Sequence, residues 1–218
     1  MSELRITTEF ESGHSTVAEH RASWSRLEIW IGDECVTQFQ DLTQQELRYG
    51  ILRPLYPIAE WLLTNWWSVF FESHHPQRYG YWRRHCLRTA EEGFALPDLE
   101  FRCFGELTEL IWNRRRSAHQ MAEFVSEGRI LLPRNEVQTE LFRFLECVCH
   151  RLEKRGVADN FVMQEWRILQ NLKTDEQSFC RVAGALGLDP FDTDEDSAGK
   201  IEAATQQLPF ELHEEIFS

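Results

Sequence analysis

The sequence predicts an α+β protein: a mainly antiparallel N-terminal part built around one buried aromatic helix, then a helical C-terminal part. Three stretches carry that prediction. Residues 26–39 alternate polar and apolar about a Gly-Asp turn, as a hairpin does. Residues 57–71, PIAEWLLTNWWSVFF, are apolar nearly all round at helical spacing, and such a helix is buried, spans a membrane or carries a partner. It is too short to span, because a bilayer asks for roughly 20 apolar residues. Each buried aromatic removes ~150–250 Å² from water, so this helix outweighs any other single element. Beyond Pro133 the apolar residues follow helical spacing throughout.

Taken in order, Leu4–Phe10 alternates well enough for a first strand, and residues 14–25 are polar and read as a loop. Leu27, Ile29 and Ile31 alternate with Arg26, Glu28 and Trp30, and after Gly32-Asp33 the segment Cys35–Phe39 returns. Asp41–Tyr49 reads as a polar linker. Pro57 suits the first helical position, where its missing N–H is not needed. Within that helix Ile58, Trp61, Leu62, Asn65, Trp66 and Val69 share one face, and Leu63, Trp67, Phe70 and Phe71 cover much of the other. Residues 73–81 form a loop, 82–92 a short helix ended by Gly93, and 94–98 an irregular segment. Residues 106–114 are a strand with Leu107, Glu109 and Ile111 on one face, and 123–132 is a second strand with a turn at Glu127-Gly128.

Asn135–Arg155 is the clearest helix. Asn135 is its expected N-cap, with Gln138 closing a capping box, and Gly156 follows its last turn. Phe161–Leu172 is a second helix around Trp166 and Leu169. Thr174 to Gln177 caps a third through Leu186, Asp194–Gln207 is a fourth, and Phe210–Phe217 a last short one. The expected division is an α+β domain over 1–132 and a helical subdomain packed on it over 133–218.

With 218 residues the chain can bury a real core. Its formal net charge of −13 disfavours non-specific binding to phosphate backbones and anionic membranes, where Lys and Arg supply the affinity. It is compatible with a basic partner. The N-terminal residues show no basic and apolar leader, so the six cysteines read as reduced core thiols of a cytoplasmic protein. No cofactor and no metal are implied by any spacing.

Several phrases in order, LRPLYPIAEWLLTNWW (52–67), RHCLRTAEEGFALPDLEF (84–101), VCHRLEKRGV (148–157) and SFCRVAGALGLDPFD (178–192), resemble the region that precedes the peptidase domain in some bacterial ImmA/IrrE-type zinc metallopeptidases. The resemblance spans roughly Arg26 onward. It implies a bacterial stress-response or defence setting, with this chain the accessory region associated with a zinc peptidase and not the peptidase itself. The peptidase hallmark, His-Glu-x-x-His on a helix, is not met: after His213-Glu214 the position of the second His is Phe217.

Five groups of residues are candidates for function, each beside a plainer reading. Arg84, His85 and Arg88, with His74, His75, Arg83, Cys86, Glu91 and Glu92 nearby, offer a base and cations for a small anion or nucleotide pocket; a loop and amphipathic helix with solvated charges is the favoured alternative. Cys147 and Cys149 with His150 offer soft ligands, but on a helix the two thiols point about 200° apart. Residues 178–186 and 194–207 resemble a helix-turn-helix, yet the second helix opens Asp194-Glu195-Asp196, which repels phosphate. Arg114, Arg115 and Arg116, with Arg102 and Arg129, offer a nucleic-acid contact or simply a solvated turn. Trp66, Trp67 and Phe71 are interface anchors if exposed and core residues if not. The leading functional expectation is a non-enzymatic interaction or regulatory module with a protein partner. A nucleic-acid-associated regulator using the arginines and a small-molecule sensor or enzyme using the His85 region are the alternatives.

Overall fold

A computed structural model describes residues 3–71, 85–87, 98–104, 106–113 and 122–172. Over these residues the chain is α+β, with three antiparallel sheets and four helices. The first sheet is built from β1 (Leu4–Phe10), β2 (Trp24–Ile31), β3 (Glu34–Cys35) and β6 (Ile51–Pro54), with β2 at its centre. Alternation decides its two faces. Leu27, Ile29 and Ile31 of β2 are buried, whereas Arg26, Glu28 and Trp30 face outward, and Leu4 and Ile6 of β1 join the buried set. A short helix α1 (Ala18–Ala22) lies inside the segment expected to be a loop.

The hairpin is present, but its return strand is only two residues long. Thr37 is the reason. Its buried Oγ1 accepts the Ile29 N–H at 3.0 Å, so a side chain takes the place of the next backbone rung. The Gln38 N–H turns back on the Cys35 carbonyl, and Phe39 passes into the second sheet. That sheet pairs β4 (Phe39–Asp41) with β5 (Glu46–Arg48) and with β10 (Ala122–Phe124). The expected polar linker is thus a hairpin. The Asp41 carboxylate accepts the N–H groups of Thr43 and Gln44, and these bonds hold its carboxyl below the usual range.

The third sheet has the order β11 (Gly128–Pro133), β9 (Leu107–Asn113), β8 (Asp98–Phe104), β7 (His85–Leu87). Two expectations are corrected here. Residues 85–87 are strand, not helix, because β7 pairs with β8 with His85 opposite Phe101. Residues 123–132 are two strands in different sheets, broken at 125–127. In β9 Leu107, Glu109 and Ile111 share one face, as expected, and the buried face is the other one, Thr108, Leu110 and Trp112. Strand β8 was not expected, although its residues alternate; its buried Glu100 takes the Arg102 Nε–H on Oε1 at 2.6 Å.

Helix α2 (Tyr56–Phe71) is the central core element. Ile58, Ala59, Leu62, Leu63, Trp66, Val69 and Phe70 are buried, and Trp61 stacks at 6.1 Å on Phe101 of β8. Its ends are satisfied from far along the chain. The Tyr56 N–H donates to Ser23 Oγ, and Arg134 Nη1 donates to the Phe70 carbonyl. Helices α3 (Arg134–Lys154) and α4 (Phe161–Leu172) pack on α2, and one continuous core takes in residues on both sides of Pro133.

Asn135 is not the N-cap of α3. Pro133 holds that position without a side-chain bond, and the Arg134 N–H goes to the Glu106 carbonyl, so strand pairing sets the helix start. The C-terminus is as expected. Gly156 has φ +73°, and the N–H groups of Gly156 and Val157 bond the carbonyls of Glu153 and Leu152. Asn160 caps α4 by accepting the Met163 N–H at 3.2 Å. The helices expected beyond residue 173, the loop 73–81 and the segment 94–97 lie outside the described residues.

One consequence is testable by pH. Burial raises the Glu165 carboxyl in α4 above the ordinary glutamate range. Below the unfolded-state pKa both states are protonated and there is no penalty. As pH rises through the raised value, the folded state must carry a poorly solvated charge and stability falls. Glu165→Gln is expected to raise Tm at pH 7 and to leave it nearly unchanged at pH 4, by thermal denaturation at the two pH values.

Candidate functional site

The solvent face of the first sheet carries a row of stacked groups. Cross-strand pairing sets Arg5 of β1 opposite Trp30 of β2, and the guanidinium lies 5.3 Å from the indole centroid. Tyr49, just after β5, stacks parallel to Trp30 with centroids 6.0 Å apart and planes 6° apart. Trp30 Nε1–H donates to Glu28 on the same face at 2.9 Å, which fixes the ring. Trp30 is half-buried and Tyr49 is 47% exposed. An aromatic pair so placed adds little to the core of its own fold, and Tyr, Trp and Arg are the side chains that anchor interfaces.

Beside this row lies a cavity of about 580 Å³ that is largely open to solvent. Trp30, Ile31, Asp33, Glu34, Cys35 and Gln38 line it from the β2–β3 hairpin and the residues just after it, Tyr49 from beside β5, and Trp112, Arg129 and Ile130 from β9 and β11. It therefore sits where the edge of the third sheet meets the hairpin of the first. One hydrogen-bonded chain joins the two. Trp112 Nε1–H donates to Ser126 Oγ at 2.7 Å, and Ser126 Oγ–H donates to Glu34 Oε1 at 2.6 Å. The indole lies across Gly128, where a Cβ would meet Trp112 Cζ2 at 2.5 Å, so only glycine lets the ring cross the strand. Its walls mix aromatic and apolar side chains with the carboxylates of Asp33 and Glu34, the Gln38 amide and the exposed Arg129. The Cys35 thiol is buried, and burial pushes its pKa up, against the hydrogen bond to Thr37. That is the wrong direction for a thiolate nucleophile.

Of the residues expected from the sequence, Arg129 lines the cavity, and the others that are described fall elsewhere. Trp66 is 1% exposed and packs 4.8 Å from Phe70, which makes it a core residue and not a surface anchor. Trp67 and Phe71 belong to α2, but their side chains lie outside what is described. His85 lies on β7, at the opposite edge of the third sheet from β11 and the cavity, while Arg84 and Arg88 lie outside the described residues. Arg114, Arg115 and Arg116 do so too. Arg102 is tied to Glu100 and Glu109 and shares one face of the sheet with Arg129. Cys147 is exposed, with Sγ 3.5 Å from Thr8 Oγ1, and Cys149 is buried, its thiol pushed up to about 12 by burial and by Glu153. The two sulfurs face apart, as their spacing requires. Among the described residues no group of three His, Cys, Asp or Glu is placed to hold a metal, and no helix is long and apolar enough to cross a membrane.

Trp30, Tyr49 and Trp112 were missed as site residues, though one signal was visible. Trp30 takes a solvent-side position in an alternating strand, where a large aromatic needs an explanation. Tyr49 gave no signal, because its place depends on the β4–β5 hairpin.

Compared with protein-family models, with curated proteins and with solved structures, the chain matches none.

Proposed function

We propose that this protein is a non-enzymatic interaction module that binds a protein partner through the aromatic row Arg5–Trp30–Tyr49 and the adjoining cavity. The observation that carries the reading is the Trp30–Tyr49 pair, stacked within 6° on a solvent-facing sheet and beside the cavity. Two rigid rings fixed before binding lose little conformational freedom on association, which favours their use as anchors. The net charge of −13 fits a partner with a basic face, and would draw it in by long-range attraction. A bacterial stress-response or defence system, beside a zinc peptidase, is the setting that the resemblance implies, and a regulatory role there belongs to the same proposal.

The test is affinity capture from the native host with the tagged wild-type chain and with a Trp30→Ala/Tyr49→Ala double variant, washed at low and high salt. The expected result is one protein retained by the wild type at high salt, with recovery at least ~10-fold lower for the double variant, since a hot-spot residue contributes about 2 kcal/mol or more. Equal recovery by both forms would overturn the reading. So would nucleic acid held only at low salt, the signature of phosphate contacts.

A further inference from the structure

The two outer strands flanking these sheets are treated differently by the fold. In β1 the residues bonded to β2 are the odd-numbered ones, as the Gly32 N–H to Glu3 carbonyl and Glu11 N–H to Trp24 carbonyl bonds fix at the two ends. The backbone groups of Ile6 therefore point away from β2, to the open edge, and both are taken. Glu140 Oε1 accepts the Ile6 N–H at 2.6 Å, and Arg143 Nη2 donates to the Ile6 carbonyl at 3.2 Å. Helix α3 thus closes this edge to a further strand.

At β11 the ladder runs the other way. The Arg134 N–H to Glu106 carbonyl bond continues the pairing with β9 and makes the even-numbered residues of β11 the bonded ones. The N–H and C=O groups of Arg129 and Leu131 then point outward. Among the described residues β11 is the last strand of its sheet, and none of them bonds these outward groups. Leu131 is 52% exposed, and Arg129 and Ile130 line the cavity. An open edge of this kind is a template for an extended chain, with affinity from the backbone and selectivity from alternate side chains.

Resting on the interaction-module reading, we infer that the partner contributes an extended segment that adds as a strand to the outer edge of β11. Its backbone pairs with Arg129 and Leu131, and every second side chain falls at the cavity, between Trp112 and the Trp30–Tyr49 pair. Apolar or aromatic side chains fit those walls. A basic residue nearby meets Asp33 and Glu34, in keeping with the acidic balance of the chain.

The experiment uses the full chain and a display library of random twelve-residue peptides as the probe. Enriched peptides are synthesised and their Kd measured for the wild type and for Leu131→Pro. Proline is tolerated on an edge strand whose N–H faces outward, and it removes one donor from that edge. Retained circular dichroism and Tm establish that the variant is folded. The second measurement is a scan in which each peptide amide is N-methylated in turn, which needs no change to the protein. Expected are peptides with alternating apolar residues and a basic residue, a Kd at least ~10-fold weaker for Leu131→Pro, and loss of binding at every second methylated amide. Binding that ignores both Leu131→Pro and the methylation register, yet is lost in the Trp30→Ala/Tyr49→Ala variant, would overturn strand addition while leaving the interaction face standing. Enrichment of no peptide would overturn it too, and the capture experiment would still judge the interaction-module reading separately.

Discussion

Trp66→Ala is expected to cost ~3–5 kcal/mol of stability, the largest effect of any single truncation considered for this protein. Trp66 is 1% exposed, at the centre of the helix on which the other elements converge, and its ring lies against Phe70. Removing it leaves a void that the surrounding helices cannot close without breaking their own packing. Trp66→Phe is the informative control. Among the described residues the indole Nε1 has no hydrogen-bond partner, so phenylalanine keeps most of the apolar contact and removes an unsatisfied donor. Its cost is expected to be well under half that of alanine. Urea denaturation of the three forms measures this, and near-wild-type stability for Trp66→Ala would return Trp66 to the surface.

Glu140→Ala is expected to lose ~1–3 kcal/mol, the penalty of a buried backbone donor left without a partner. The Glu140 carboxylate, 8% exposed, takes the Ile6 N–H and two bonds from Arg143, which holds the Arg143 guanidinium above its ordinary pKa. Glu140→Gln keeps an acceptor for Ile6 and is expected to lose less. The variants differ in a second readout. Amide exchange at Ile6 is expected to be slow in the wild type and in Glu140→Gln, and fast in Glu140→Ala. The Ala variant also exposes a β1 edge, so concentration-dependent association should accompany the loss. Equal exchange at Ile6 in all three forms would contradict the clamp.

Much of the fold was legible in the sequence, for identifiable reasons. The helices starting near Pro133 and at Phe161 and strands β1, β2 and β9 announce themselves by period, and the aromatic helix by being apolar nearly all round, since all are set against the same core. The misread elements are those decided by partners distant in sequence. β7 is a strand because β8 is beside it, and α3 begins at Arg134 because Glu106 takes that N–H; the shortened hairpin is a local exception, made by the Thr37 side chain capping Ile29. The candidate site belongs to this second kind. Trp30 and Tyr49 are separated by two hairpins, and Trp112 crosses Gly128 to reach Ser126 and, through it, Glu34. No local pattern joins those residues. The aromatic helix drew attention instead, since a Trp-rich stretch has the same composition whether it serves a core or an interface; the burial of Trp66 decides for the core at that position.

The most direct measurement of the central claim is amide hydrogen exchange on the chain alone and in complex with the captured partner. The account predicts that protection gained on binding concentrates at Trp30, at Tyr49 and along residues 129–131, with α3 and α4 unchanged. Protection that falls instead on α3 or α4, with the Trp30–Tyr49 face and β11 exchanging as in the free chain, would contradict it.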